Sequence, residues 1–494
     1  MLLDNDAYFR AVRARDRRFD GRFFVGIAST RIYCRPICPA RPAKRENMSF
    51  YQSAAAAEAK GFRPCLRCRP ERAPHSSPID AVSRRVGAVV AGIERHALSS
   101  ARVGELAASL GVSDRHLRRI TELELGVSPI ELAQTYRLLL AKRLLRDTKL
   151  NQTQIAFASG FASVRRFNAL FKTRYGLSPR DLRGKAGATT DATGTTNAVM
   201  TANALLSPDA GVRVELEFRP PFAWDCCLSY LKLRGIPGVE SVDATHYRRT
   251  VSLGESAGWI AVSMHESRHA LQLEMSASLA PVIGAVIAQV KQLFDLGAYP
   301  DAVSAQLSQD PMLKNIVGQI PGLRVPGCFD GFEVAVRVIL GQQVSVKGAS
   351  TLAGRWAKYF GASVETPYPE LNRLTPSVEN MAKANLSAIT ALGIVGNRAK
   401  SIIALAHALL AREINLAYVA DVEAEIDALE RVPGIGPWTA QYIAMRALSW
   451  PDAFPSGDLV LLKSSRLTEN ALRTRAEAWR PWRAYAAHYL WQLA

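Results

Sequence analysis

The chain has 494 residues, 48% of them hydrophobic and 21% charged, a globular composition that excludes a largely disordered polypeptide. At roughly 100–200 residues per domain, that length predicts three or four domains. Lys plus Arg number 62 against 44 Asp plus Glu, a formal net charge of +18, and the surplus lies wholly in residues 1–184, which hold 34 basic and 16 acidic residues. A polyanion such as nucleic acid is the natural partner of that third. The start, Met1-Leu2-Leu3-Asp4-Asn5-Asp6, lacks a basic region followed by an apolar stretch, so no secretory leader is expected. The longest apolar run, Met275 to Val290, is flanked by Glu274 and Lys291 and falls short of the ~20 residues that span a bilayer.

In chain order, residues 1–75 are rich in Arg, Pro and Cys and alternate short strand-like runs (Phe23-Phe24-Val25-Gly26-Ile27) with turns, which predicts a small α/β domain. Residues 80–184 turn helical. Residues 185–208 are rich in Ala, Thr, Gly and Asn and read as a flexible linker. Residues 209–295 read as a mixed α/β subdomain, with period-two alternation in Val212-Arg213-Val214-Glu215-Leu216-Glu217-Phe218. Residues 296–494 read as an all-α domain. The predicted fold class is multidomain α+β.

Four of the seven cysteines fall between residues 34 and 68. Cys34 and Cys38 form one close pair and Cys65 and Cys68 another, which supplies four soft thiolates to one tetrahedral ion, usually Zn2+. This distribution points to a metal cluster in a reducing cytoplasm rather than a disulfide framework. The flanking Asp20-Gly21-Arg22-Phe23-Phe24-Val25-Gly26, Tyr33-Cys34-Arg35-Pro36-Ile37-Cys38-Pro39-Ala40-Arg41-Pro42 and Gly61-Phe62-Arg63-Pro64-Cys65-Leu66-Arg67-Cys68 resemble Ada-type methylphosphotriester repair domains over residues 17–72. The resemblance implies that Cys34 is both zinc ligand and nucleophile, that the methyl transfer is irreversible, and that Arg41 contacts a phosphate.

Two helix-turn-helix segments follow. Leu106 to Arg119 has a Gly111 turn and Ser113 as N-cap, and Ile155 to Phe167 repeats the layout about 50 residues later. Each second helix presents basic side chains, Arg115, Arg118 and Arg119 in one and Arg165 and Arg166 in the other, as a major-groove reader would. The closing Phe171-Lys172-Thr173-Arg174-Tyr175-Gly176-Leu177-Ser178-Pro179 resembles the signature of AraC-type regulators.

Leu429 to Ala440 reads as helix, Gly-rich hairpin and helix, in which Gly434 and Gly436 let the backbone approach a phosphate. With Pro455-Ser456-Gly457-Asp458 it resembles the helix-hairpin-helix glycosylase superfamily. Arg219-Pro220-Pro221-Phe222-Ala223-Trp224, Arg324-Val325-Pro326-Gly327-Cys328, Ile339-Leu340-Gly341-Gln342-Gln343 and Trp479-Arg480-Pro481-Trp482 narrow the resemblance to AlkA-type 3-methyladenine DNA glycosylase II over residues 211–493. It implies Asp458 as catalytic carboxylate, Trp438, Tyr442 and Trp491 as walls of a pocket for a flipped, cationic base, and a monovalent cation at the carbonyls of Glu430, Val432 and Gly434. Gln343 stands where some relatives carry an apolar wedge, and Leu459 where an aromatic can follow the Asp.

The sequence therefore predicts a fused alkylation-repair and response protein in the cytoplasm, associated with the nucleoid. Its expected partners are double-stranded DNA and RNA polymerase, with no membrane, and the chain is expected to be a monomer. No second acceptor motif Pro-Cys-His-Arg is present, so O6-methylguanine repair is not predicted. The rival expectation is a methylation-sensing regulator whose glycosylase half is an inert DNA clamp.

Overall fold

A computed structural model describes residues 4–74, 84–96, 103–110, 112–188, 211–417 and 419–493. The chain divides into two compact units, one formed by Met1–His75, Val89–Glu217 and Ala270–Ala288, the other by Ser76–Ala88, Phe218–His269 and Gln289–Ala494.

In the first unit, α1 (Asn5–Ala14) starts at Asp4, whose carboxylate accepts the Ala7 amide at 2.6 Å. Its Tyr8, Ala11 and Val12 pack on Phe23, Val25 and Met48. Strands β1 (Phe24–Ile27), β2 (Ile32–Cys34), β3 (Met48–Tyr51) and β4 (Arg63–Pro64) form a sheet in the order β3-β1-β2-β4. β1 is antiparallel to β2 and β3, whereas β2 runs parallel to β4 with Tyr33 opposite Pro64. Gly26 is required within β1, because a Cβ there would lie 2.8 Å from the Tyr51 ring and 2.9 Å from that of Phe62. Helix α2 (Ala54–Ala59), capped by Ser53, brings Ala57 onto Phe24, Tyr33 and Phe62.

The helical part of this unit comprises α3 (Arg84–His96) from Val89 onward, α4 (Val103–Ser109), α5 (Asp114–Leu125), α6 (Pro129–Asp147), α7 (Gln152–Ala158), α8 (Val164–Tyr175) and α9 (Pro179–Ala188). Ser113 caps α5 through the His116 amide at 3.2 Å, and Ser163 caps α8 through Arg166 at 3.2 Å. Ser128 with Glu131 and Asn151 with Gln154 form capping boxes on α6 and α7. Phe167, Phe171 and Tyr175, four apart on α8, are buried. Gly111 lies outside the described residues. α9 runs to Ala188, into the segment read as linker from 185, because Lys185, Ala186 and Ala188 are strong helix formers; the rest of that segment lies outside the described residues. Val212–Glu217 pairs antiparallel with Ala270–Met275, burying Val212, Val214 and Leu216 on one face as the alternation predicts.

In the second unit, α10 (Trp224–Arg234) precedes an antiparallel meander of Glu240–Val242, His246–Leu253 and Ser256–Met264. The helices that follow are α11 (Ile283–Leu293), of which Gln289–Leu293 belong to this unit, α12 (Pro300–Leu307), α13 (Pro311–Gln319), α14 (Gly331–Gly341), α15 (Val346–Phe360), α16 (Val378–Ala382) and α17 (Leu386–Thr390). The last six are α18 (Gly396–Leu410), α19 (Val422–Glu430), α20 (Pro437–Arg446), α21 (Leu459–Ser465), α22 (Glu469–Ala476) and α23 (Arg483–Trp491). One apolar core joins α12 to α23, with Phe332, Trp356, Ile443, Trp479 and Tyr489 among its members. Among the described residues no helix is long and apolar enough to cross a membrane.

Candidate functional site

The β2–β4 register sets Cys34, at the end of β2, beside Cys65, whose amide donates to the Tyr33 carbonyl at 3.0 Å. A turn closed by the Cys38 amide on the Arg35 carbonyl, 3.1 Å, returns Cys38 to the same place. The sulfurs of Cys34, Cys38, Cys65 and Cys68 all lie within 4.8 Å of one another. Four sulfurs around a zinc at about 2.3 Å stand about 3.8 Å apart, so the donor set fits that ion in both chemistry and size.

Backbone amides treat the sulfurs unequally. Cys68 accepts Arg35 N at 3.3 Å, Cys65 accepts Arg67 N at 3.4 Å, and Cys38 accepts the Ala40 amide. Among the described contacts Cys34 accepts no backbone N–H, and it is partly exposed whereas Cys65 and Cys68 are buried.

Arg35 is buried, donates to the Cys68 carbonyl at 3.1 Å and to Asp20 at 2.8 Å, and reaches Glu217 at 2.6 Å. Burial opposes its charge, but the two carboxylates more than restore it. The Cys65–Cys68 loop rests on α6: Lys142 donates to the Cys65 carbonyl at 3.4 Å and Arg146 to that of Leu66 at 3.0 Å. Lys142 also pairs with Glu71, which Arg69 binds at 2.9 Å. Burial would raise the Glu71 carboxyl, but Lys142 and Arg69 draw it down to about 2. Tyr33 donates to the buried Glu58 at 3.0 Å, which also meets Thr135 and Tyr175 at 3.3 Å. None of Arg35, Glu71, Lys142 or Glu58 was singled out by sequence reasoning; their partners are too remote along the chain.

Arg115, Arg118 and Arg119 are exposed on α5, Arg165 and Arg166 are exposed at the start of α8, and Arg41 is exposed in the loop after Cys38. Arg118 pairs with Asp114 at 3.0 Å, a surface contact of little energy that leaves it available to a phosphate.

In the second unit, Gly434 sits at φ +83°, and a Cβ there would fall 2.0 Å from Ser401 Oγ, so only glycine fits. Gly436 is the N-cap of α20 and provides no side-chain cap, which suits an anion at that helix start. Gln342 Nε2 donates to the Gly434 carbonyl at 2.9 Å and to Thr439 Oγ1 at 3.1 Å. Gln343 is exposed, with φ +53°.

Asp458 is the N-cap of α21. Its Oδ1 accepts the amides of Val460 at 3.0 Å and Leu461 at 3.1 Å, and the Trp491 indole N–H at 3.1 Å. Its Oδ2 accepts the Trp438 indole N–H at 3.0 Å. Trp438, Tyr442 and Trp491 come together, with ring centres 5.5 Å apart for the first two and 5.9 Å for the last two. Trp438 and Trp491 thus hold the carboxylate through their indole N–H groups, whereas Tyr442 is buried with its hydroxyl 2.5 Å from that of Tyr230. Tyr230 stacks near Trp491 at 6.5 Å and was not foreseen. Leu459 is 81% exposed.

Against known families, residues 7–71 match the metal binding domain of Ada and 106–185 a helix-turn-helix domain. Residues 213–330 match the AlkA N-terminal domain and 336–478 the HhH-GPD superfamily of base excision DNA repair proteins. Fold and sites together define a DNA-binding repair protein of the HhH-GPD class that carries a four-cysteine zinc domain. Over 499 aligned residues the chain is 36% identical to the "Probable bifunctional transcriptional activator/DNA repair enzyme AlkA" of Mycobacterium tuberculosis, covering 99% of this chain and 96% of that one. It is 36% identical to DNA-3-methyladenine glycosylase 2 of Escherichia coli over 56% of this chain and 95% of the other. It is 37% identical to the bifunctional transcriptional activator/DNA repair enzyme Ada of E. coli over 29% of this chain and 38% of the other. The chain belongs to the family of bifunctional transcriptional activator/DNA repair enzymes that join an Ada metal-binding domain to an AlkA-type glycosylase. Cys34, Cys38, Cys65 and Cys68 are accordingly the ligands of a Zn2+.

Proposed function

We propose that the chain removes alkylated bases of the 3-methyladenine type from DNA by hydrolysis, and accepts methyl groups from DNA methylphosphotriesters on Cys34, a transfer that switches promoter binding. The observation that carries the first activity is Asp458, gripped by four donors at the edge of an aromatic cage. Oδ1 takes three of those donors and is fixed; Oδ2 takes only Trp438 among the described residues, which makes it the working oxygen. An alkylated purine already bears positive charge, so its glycosidic bond needs little assistance. Oδ2 stabilises the developing sugar cation and orients the water that attacks it, while the cage holds the cationic base.

For the second activity, N–H···S bonds draw electron density from Cys38, Cys65 and Cys68 and leave Cys34, partly exposed, as the most nucleophilic sulfur. Bound zinc keeps the thiols as thiolates near neutral pH. The Cys34 sulfur attacks the methyl carbon, the S–C bond forms as the C–O bond breaks, and the phosphodiester anion leaves. The thioether has no route back. We further infer a monomeric chain that works on the nucleoid and contacts RNA polymerase as an activator.

The test of the glycosylase is release of methylated bases from duplex DNA by wild type and Asp458→Asn. Release that is lost in the variant supports the assignment; equal release in both, or none in either, rejects it.

A further inference from the structure

Behind the aromatic cage, two phenols and two guanidiniums meet with a proton to spare. Tyr230 on α10 and Tyr442 on α20, both buried, approach oxygen to oxygen at 2.5 Å. Arg446 Nη1 donates to the Tyr230 oxygen at 2.8 Å and reaches that of Tyr442 at 3.5 Å. Its Nε and Nη2 are held by the Gly327 carbonyl at 3.1 and 2.8 Å. Arg234 lies 3.9 Å from the centre of the Tyr230 ring, and its positive charge acts on Tyr442 as well. A guanidinium offers donors only. Of the two phenolic protons, one lies between the oxygens, and the other finds no acceptor among the described residues.

The remaining titratable neighbours do not supply one. Arg337 on α14 is another cation, turned to the Arg234 carbonyl at 2.5 Å and to Ser350 at 2.9 Å. His488 on α23 packs ring against ring on Tyr230 at 4.9 Å; burial with Arg446 and Arg234 keeps it neutral, and its Nε2 makes no hydrogen bond among the described residues, so it takes neither phenol's proton. The Cys227 thiol on α10 is pushed up to about 12 by burial. Cys328 is buried near Arg446, and Glu240 is engaged by Tyr247 at 2.5 Å. Loss of the spare proton resolves the conflict and neutralises one guanidinium.

We propose that Tyr230 and Tyr442 share one proton and hold one negative charge against Arg446, and that this pair makes Tyr230 a specificity-determining residue for cationic over neutral bases. The inference rests on the glycosylase reading of the pocket. Tyr442 is a wall of the cage, and a tyrosinate ring is richer in electrons than a phenol, so it attracts a cationic purine more strongly and a neutral one no more. Without that charge, Arg446 and Arg234 would place two uncompensated positive charges behind a site for a cation. In keeping with a shared proton, the two hydroxyls diverge. Burial works to raise Tyr442, but Arg234, Arg446 and the Tyr230 hydrogen bond bring it down to about 8. Tyr230 is pushed up to about 12, chiefly by burial.

The experiment pairs a near-ultraviolet absorbance titration of tyrosinate in the full chain with single-turnover excision of cationic 7-methylguanine and neutral hypoxanthine from duplex DNA. Wild type is expected to form one tyrosinate near pH 8, ahead of ordinary tyrosines at about 10. The cationic-to-neutral rate ratio should rise roughly tenfold through the same range. Tyr442→Phe removes the early titration and flattens the ratio, and Tyr230→Phe moves both to higher pH, with thermal melting as the check that each variant is folded. Tyrosines that all titrate together in the ordinary range overturn the proposal, as does a ratio unchanged by pH or by Tyr230→Phe. If wild type releases neither base, the glycosylase reading fails and the specificity role falls with it, while the absorbance alone still decides whether the proton is shared.

Discussion

Glu71→Gln removes the carboxylate that Lys142 and Arg69 share in the first unit. The side chains of Glu71 and Lys142 are each 1% exposed. Arg69 keeps Asp147 at 2.7 Å, so Lys142 is the orphan, left with the Cys65 carbonyl at 3.4 Å. Breaking a buried pair from one side costs about 3–5 kcal/mol. The Glu71 carboxyl gives a second figure: its displacement from 4.5 to about 2 corresponds to about 3 kcal/mol at 1.36 kcal/mol per unit. Burial lowers the basicity of Lys142 itself, which trims the net value toward the lower end, about 3 kcal/mol. The assay is a urea titration of the full chain followed by zinc captured by a chromophoric chelator, which reports the zinc-bearing unit. With a slope of about 2 kcal/mol per molar, the midpoint should fall by about 1–2 M. A carboxyl depressed in the folded state contributes fully above its unfolded value of 4.5 and loses its contribution as pH falls toward about 2. Wild type should therefore lose this increment over that window, and Glu71→Gln should not. The double variant Glu71→Leu/Lys142→Met should recover most of the loss. A Glu71→Gln midpoint within about 0.2 M of wild type at neutral pH would refute the reasoning.

Methyl transfer removes one unit of negative charge from the zinc–thiolate centre, so promoter binding should tighten after exposure to methylphosphotriester DNA; Cys34→Ser should neither accept methyl nor show the gain in a binding assay. Arg166→Ala should weaken binding across sequences and reduce the slope of log affinity against log salt by about 1; an unchanged slope would place that side chain off the phosphates. The glycosylase should cut no strand: Trp438 stands two residues after Gly436 in the hairpin, and an indole cannot form a Schiff base. Borohydride trapping on a lesion-containing duplex should give no covalent adduct, whereas an adduct, with the exposed Lys463 as its source, would overturn this.

Local chemistry was legible in the sequence. Cys34, Cys38, Cys65 and Cys68 fall in two close pairs, and the structure adds the parallel β2–β4 register that joins them. Ser113 and Ser163 cap their helices as small polar residues before a basic helix should. The start of the linker was not legible, since an Ala- and Lys-rich end reads alike as helix or tether. Contacts between remote residues were invisible to periodicity. Arg35 and Glu217 are 182 positions apart, and Arg72 and Arg143 also reach Glu215, so the strand Val212–Glu217 packs in the same compact unit as the zinc domain. Tyr230 and Tyr442 are 212 apart. The indoles of Trp438 and Trp491 were expected as aromatic walls for a cationic base; their N–H groups, which orient Asp458, become relevant only once α20 and α23 converge on the start of α21.

The central claim is that one chain carries both activities, base release through Asp458 and methyl acceptance on Cys34. The most direct measurement incubates the full-length protein with methylated duplex DNA and analyses, from the same tube, the released bases and the proteolytic peptides by mass spectrometry. The account predicts free methylated purines together with a single methyl on the peptide containing Cys34. Methyl on Cys65 or Cys68, or a methylated Cys34 with no free base, would contradict it.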